Sequence, residues 1–216
     1  MAQPPALLQA AEDVVGLLEG QKIEAVVIGA VALAAYQYVR QTEDIDLGIN
    51  APVKTLEHLK QVLQKAGYHA VLRLPDDQDP LGGVIDIETT HGFLQIISFA
   101  DRFPAVIEDA VRSAQNAIRP GSRLKLVPLP HLIALKLYAG GHKSKADIVE
   151  VLSRNPSLPL EEVRQLCRKY QLEGLDDLIA EAGLSRQERC LEKSVLHAPE
   201  ANVVGTGTNL PLAARA

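Results

Sequence analysis

Two aspartates one residue apart, Asp44 and Asp46, are the residues of this chain whose type and spacing most directly suggest chemistry. In a strand, alternate residues share a face, so these two carboxylates point the same way while Ile45 and Leu47 turn into the core. Side-by-side carboxylates repel, and a divalent cation carrying a nucleoside triphosphate is a ligand that would sit between them. The same spacing also occurs on the solvated face of an ordinary half-buried strand, so the neighbourhood has to decide between the two. The apolar run Val26-Val27-Ile28 meets Gly29 and passes into an alanine-rich helical segment at residues 30–39, followed by Arg40 and Thr42. A helix entered through glycine presents unpaired N–H groups and a positive dipole end, which suits phosphate, although the glycine also serves as a plain strand-to-helix turn. Further along, Lys136 lies on an otherwise apolar helix face. Its ammonium must reach an anion or snorkel to water.

Residues 26–50 resemble the signature of the polymerase-beta-type nucleotidyltransferase superfamily, a hydrophobic-Gly-[Gly/Ser] turn followed by Asp-hydrophobic-Asp. Within it, the run Arg40 to Asp46 is similar to the Arg-x-Thr-x-Asp-hydrophobic-Asp motif of the nucleotidyl transferase AbiEii/AbiGii toxin-like group. Ala30 stands where the superfamily has its second Gly or Ser. Leu132, Lys136, Tyr138, Ala139 and Gly140, followed by Asp147-Ile148, match a second motif of that group, with Ser144 where its first acid belongs. The resemblance covers about residues 20–155.

What it implies is an α/β (α+β) nucleotidyltransferase fold, a mixed sheet flanked by helices with a helical C-terminal part. The activity implied is Mg2+-dependent transfer of a nucleoside monophosphate from an NTP to a hydroxyl of an RNA, tRNA included, or of a protein. A toxin–antitoxin role with an antitoxin partner is implied as well. Gly29, Ala30, Arg40, Thr42 and Lys136 would meet the nucleotide, and Asp44 and Asp46 the metal.

The superfamily also needs a third carboxylate on a neighbouring strand. Residues 84–88 and 93–99 read as a hairpin around Thr89-Thr90-His91-Gly92, following an Asp79-Pro80-Leu81-Gly82-Gly83-Val84 run that matches related sequences. Gln95 stands where the acid should fall. A hairpin symmetric about the Thr90-His91 peptide sets Asp86 directly across from Gln95, on the same face, so Asp86 is expected to supply the third carboxylate and metal ligand. The alternative is a catalytically degenerate nucleotide- or partner-binding module on the same fold. Asp76, Asp77 and Asp79 form an acidic loop without calcium-loop spacing, expected near the site but not as ligands.

The elements that position these groups follow from periodicity. Helices are expected over 5–19, 53–66, 103–117, 131–139, 147–153, 160–170 and 175–182, with strands at 23–28, 68–74 and 124–127. Residues 1–127 read as the catalytic core, 128–196 as a helical subdomain and 197–216, rich in Gly, Thr, Pro and Ala, as a disordered tail. With 216 residues, 47% hydrophobic and 23% charged, the chain can bury a real core. A net charge of −5 argues against a strongly electrostatic nucleic-acid binder and leaves room for a local basic edge at His142, Lys143 and Lys145. Cys167 and Cys190 make neither a disulfide framework nor a metal knuckle, and no stretch is long and apolar enough to span a membrane. A cytoplasmic protein is the expectation.

Overall fold

The computed structural model describes residues 6–42, 44–76 and 80–184. Glu43, residues 77–79 of the acidic loop, Cys190 and the 197–216 segment lie outside the described residues, and with them the expectations placed there.

The chain begins α1 (Ala6–Gly20), β1 (Val26–Ile28), α2 (Gly29–Ala35), β2 (Asp44–Ile49), α3 (Val53–Lys65) and β3 (His69–Arg73). A hairpin of β4 (Gly83–Thr89) and β5 (Gly92–Ser98) leads to α4 (Pro104–Ser113). Four helices follow, α5 (Leu129–Ala139), α6 (Gly141–Arg154), α7 (Leu160–Lys169) and α8 (Leu175–Glu181). The strands form one mixed sheet in the order β1-β2-β5-β4-β3. Among the described strand pairs only β2 and β5 run parallel, a pairing reached through α3, β3 and β4. The expected mixed sheet flanked by helices, with a helical C-terminal part, is what the chain forms.

Period-two alternation sorts the two faces of this sheet. Ile45, Leu47, Ile49, Ile85, Ile87, Leu94 and Ile96 are buried against α1 and α3. On the opposite face, Val26 and Ile28 join a second core with Leu33 of α2, Val106 and Ile107 of α4, and the helices α5–α8. That core crosses residue 127, so the C-terminal helices pack directly on the sheet. The hydroxyl of Tyr170 and the ammonium of Lys169 donate to Asp109, tying the end of α7 to α4.

The second face is covered at one end only. At its other end two registered rows lie side by side, Asp44–Phe93–Glu88–His69 and Asp46–Gln95–Asp86–Val71. Phe93 is 50% exposed there and Val71 48%. Asp44, Asp86 and Glu88 therefore sit on the uncovered half-face, with Asp46 at its border against the turn that opens α2.

Several elements differ in extent from the sequence expectation. The helix expected over 30–39 stops at Ala35, because Gln37 takes a left-handed conformation (φ 66°) and the N–H groups of Tyr36 and Tyr38 both return to Leu33 O. The Tyr36 hydroxyl donates to Val127 O at 2.7 Å, which fixes that turn. The helix expected to reach 117 ends at Ser113, since residues 116 and 117 leave it to pair with Leu126 and Lys125. The strand expected at 124–127 is only a bridge, yet it covers the outer edge of β1: Val27 N donates to Lys125 O at 2.7 Å and Val127 N to Val27 O at 3.1 Å. The first strand is confined to Val26–Ile28, and α6 starts at Gly141, earlier than residue 147.

Candidate functional site

The site grows from the turn between β1 and α2. Gly29 has φ +67°, and the carboxylate of Asp46 lies where a side chain at position 29 would be. Ile28 and Asp46 are register partners, so strand pairing itself delivers the carboxylate to that turn. Gly29 therefore has a steric function: it lets an aspartate on β2 lie flat against the backbone that opens α2. Ala30, the next residue, is buried, and the helix it belongs to is only seven residues long.

Asp44 shares the face of Asp46 and is held from its own chain. The Thr42 hydroxyl donates to the Asp44 carboxylate, an orienting contact two residues upstream. Burial pushes the Asp46 carboxyl up to about 6, the adjacent Asp44 charge adds to the push, and Lys136, Arg40 and Lys143 pull it back. Burial is thus the first cause, and the neighbouring cations offset it only in part.

Lys136 and Arg40 are both anchored by Asp147, which is 3% exposed. Lys136 Nζ donates to Asp147 Oδ2 at 2.7 Å, and Arg40 Nε stands 3.7 Å from Asp147 Oδ1. Arg40 Nε is buried without a hydrogen-bond partner, so one guanidinium donor is left unsatisfied. Arg40 is far in sequence from Lys136 and Asp147, and the fold gathers Arg40 and Lys136 on Asp147, where both charges act on Asp46.

Asp86 is paired across the hairpin with Gln95, the register that turn symmetry gives, and it shares the face of Asp44 and Asp46. It is not adjacent to them. β5 intervenes between β2 and β4, which sets Asp86 about two strand spacings, roughly 10 Å, from Asp46. Among the described residues no three His, Cys, Asp or Glu side chains are grouped so as to hold a metal ion. Asp86 shares the face expected of it but stands one strand beyond Gln95. Its carboxylate accepts from two neighbours: Gln95 Nε2 donates to its Oδ1 at 2.6 Å, and Arg73 donates to Oδ2 from Nε at 2.6 Å and to Oδ1 from Nη2 at 3.2 Å.

An open cleft of about 460 Å³ is lined by Asp44, Asp86, Phe93, Leu94 and Gln95. Sequence reasoning missed Arg73 and Phe93. Arg73 is diagonal to Asp86 across the β3–β4 ladder, a neighbour that a registered hairpin would have revealed, whereas Phe93 needs the non-local β2–β5 pairing to reach Asp44.

The site carries the donors a divalent cation requires. Asp44 and Asp86 face the cleft, and Asp46 stands next to Asp44 on the same face, its carboxylate seated against the turn that Gly29 leaves open. Among the described residues no helix is long and apolar enough to cross a membrane.

No protein-family model and no curated protein matches the chain. Solved structures do match. An antigenic nucleotidyltransferase-like protein from Paracoccidioides brasiliensis is 17% identical over 82% of this chain and 92% of its own, with a TM-score of 0.47. The antibiotic-resistance factor ANT(2'')-Ia is 14% identical over 88% of this chain and 96% of its own, with a TM-score of 0.42. Terminal uridylyl transferase 4 from Trypanosoma brucei, solved with GTP, is 10% identical over 70% of this chain and 50% of its own, at a TM-score of 0.40. At such identities and TM-scores these likenesses carry no functional inference of their own. The solved structures that the chain is similar to include a nucleotidyltransferase-like protein and a terminal uridylyl transferase.

Proposed function

We propose that the protein transfers a nucleoside monophosphate from an NTP to a hydroxyl group of an RNA, such as tRNA, or of a protein. The observation that carries this reading is that Asp44 and Asp46 share one face of β2 at the turn opening α2, with the charges of Lys136 and Arg40 acting on Asp46. In the reaction the acceptor hydroxyl loses its proton and its oxygen bonds to the α-phosphorus. The bond from that phosphorus to the β-phosphate oxygen breaks, and pyrophosphate leaves with the electron pair.

Magnesium, bound by Asp44 and Asp46, would supply the positive charge that binds the triphosphate and eases loss of the hydroxyl proton. The chain's own residues do the rest. Thr42 orients the Asp44 carboxylate. Asp147 fixes Lys136, whose ammonium, with the guanidinium of Arg40 and its free Nε–H, meets the charge that builds on the phosphates. Gly29 and Ala30 open α2 beside Asp46 and form the floor under the phosphates, with Gly29 acting chiefly by leaving space. Asp86 lies on the same face beyond Gln95 and holds the Gln95 amide.

The narrower likeness of residues 40–46 and 132–148 to the AbiEii/AbiGii group extends the proposal to a toxin held by an antitoxin. Growth arrest on expression, relieved by Asp44→Asn, is the expected outcome of that role. A second reading, a non-catalytic nucleotide- or partner-binding module, is favoured by Gln95 in place of an acid. Incubation with each labelled NTP, magnesium and cell RNA or protein separates the two. Label transfer lost in Asp44→Asn supports the enzyme, and magnesium-dependent binding without transfer supports the module.

A further inference from the structure

Gln95 occupies the register position directly beside Asp46, in the middle of the row Asp46–Gln95–Asp86. Paired residues of a parallel ladder share a face, so the Gln95 amide stands between the two aspartates. An ionised carboxylate only accepts hydrogen bonds, so the amide meets Asp86 through its NH2 group. The contact found is Gln95 Nε2 to Asp86 Oδ1 at 2.6 Å. With the nitrogen committed to Asp86, the amide oxygen is left free to accept or to ligate, and β2 with Asp46 is the neighbouring strand on the other side. Arg73 closes the arrangement from beyond, its Nε 2.6 Å from Asp86 Oδ2, and largely cancels the Asp86 charge.

Resting on the nucleotidyl-transfer reading above, we infer that Gln95 supplies, through its amide oxygen, the third oxygen donor for the divalent cation at Asp44 and Asp46, and that Asp86 is the positioning residue that fixes the amide. Amide oxygens are ordinary ligands of hard cations. This assignment explains two features together. The expected third acid is replaced by a glutamine without loss of an oxygen at that position, and an acid one strand further out is engaged by both a glutamine and an arginine. The site then presents two negative charges to the cation, not three, and binds it more weakly than a three-acid site would.

The test is a Mn2+ titration of the full chain followed by the EPR signal of the free ion, with thermal melts to confirm folding. Gln95→Leu is expected to weaken Mn2+ binding about tenfold or more, and Asp86→Ala, through loss of orientation, by about 10–100-fold. The double exchange Asp86→Asn with Gln95→Glu keeps the hydrogen bond and the total charge but moves the charge one strand nearer Asp46. It should bind Mn2+ more tightly than the natural protein. If Gln95→Leu and the double exchange both bind as the natural protein does, while Asp44→Asn loses binding, the role of Gln95 is overturned and the two-aspartate site stands. If the natural protein binds no Mn2+ with or without NTP, the metal site and this inference fall together.

Discussion

The Asp46 carboxylate occupies the space that any side chain on Gly29 would need, and the two residues are brought together by the pairing of β1 with β2. Gly29→Ala therefore combines an overlap with a left-handed backbone position at φ +67°. A loss of about 1–2 kcal/mol is expected from the backbone alone, more with the overlap, together with displacement of Asp46. Denaturant melts give the first quantity. Loss of Mn2+ binding in a chain that still folds reports the second.

Stability should fall with pH because of Asp46. Its carboxyl is raised from 3.8 to about 6, first by burial and then by Asp44. Below about pH 4 the group is protonated in folded and unfolded chains alike, and no cost arises. Between about pH 4 and 6 the unfolded chain ionises first, so stability drops, and above about 6 the cost stays constant at about 2–3 kcal/mol. Asp46→Asn should remove this slope and make the metal-free protein more stable at pH 8, with little change near pH 3.5. Urea melts across that range check it, and an unchanged slope in the variant would place the titration elsewhere.

Asp147 and Lys136 form a buried pair, 4% and 13% exposed at their side chains. Asp147→Ala leaves the ammonium without its partner and should cost about 3–5 kcal/mol. Replacing both, Lys136→Met with Asp147→Leu, should recover most of that loss while phosphate recognition stays impaired. A double-mutant cycle by chemical denaturation measures the coupling.

Thr42→Val tests whether the orientation of Asp44 matters. The hydroxyl that donates to the carboxylate is lost, with little change in shape. A 10–100-fold fall in metal affinity or in transfer rate is expected, at an unchanged melting temperature. Thr42→Ser, which keeps the donor, should behave as the natural protein.

What the sequence made legible is what local rules control. The shared face of Asp44 and Asp46 follows from strand alternation, and the pairing of Asp86 with Gln95 follows from the symmetry of a short turn. The distance from Asp86 to Asp46 was not legible, because it depends on β5 inserting between β2 and β4 through a parallel pairing with no local signal. The short α2 was likewise hidden. Its alanines favour a longer helix, and the Tyr36 contact with Val127, ninety-one residues away, helps to end it. Arg73 escaped notice because nothing in its own neighbourhood marks it; only registration of β3 on β4 brings it to Asp86.

The central claim is nucleotidyl transfer, and the position of the label in the NTP tests it most directly. With magnesium and cell RNA or protein, label at the α-phosphate should appear on the acceptor while label at the γ-phosphate appears in pyrophosphate, and both should vanish in Asp44→Asn. Transfer of the γ-label to the acceptor, or α-label transfer that persists in Asp44→Asn, would contradict it.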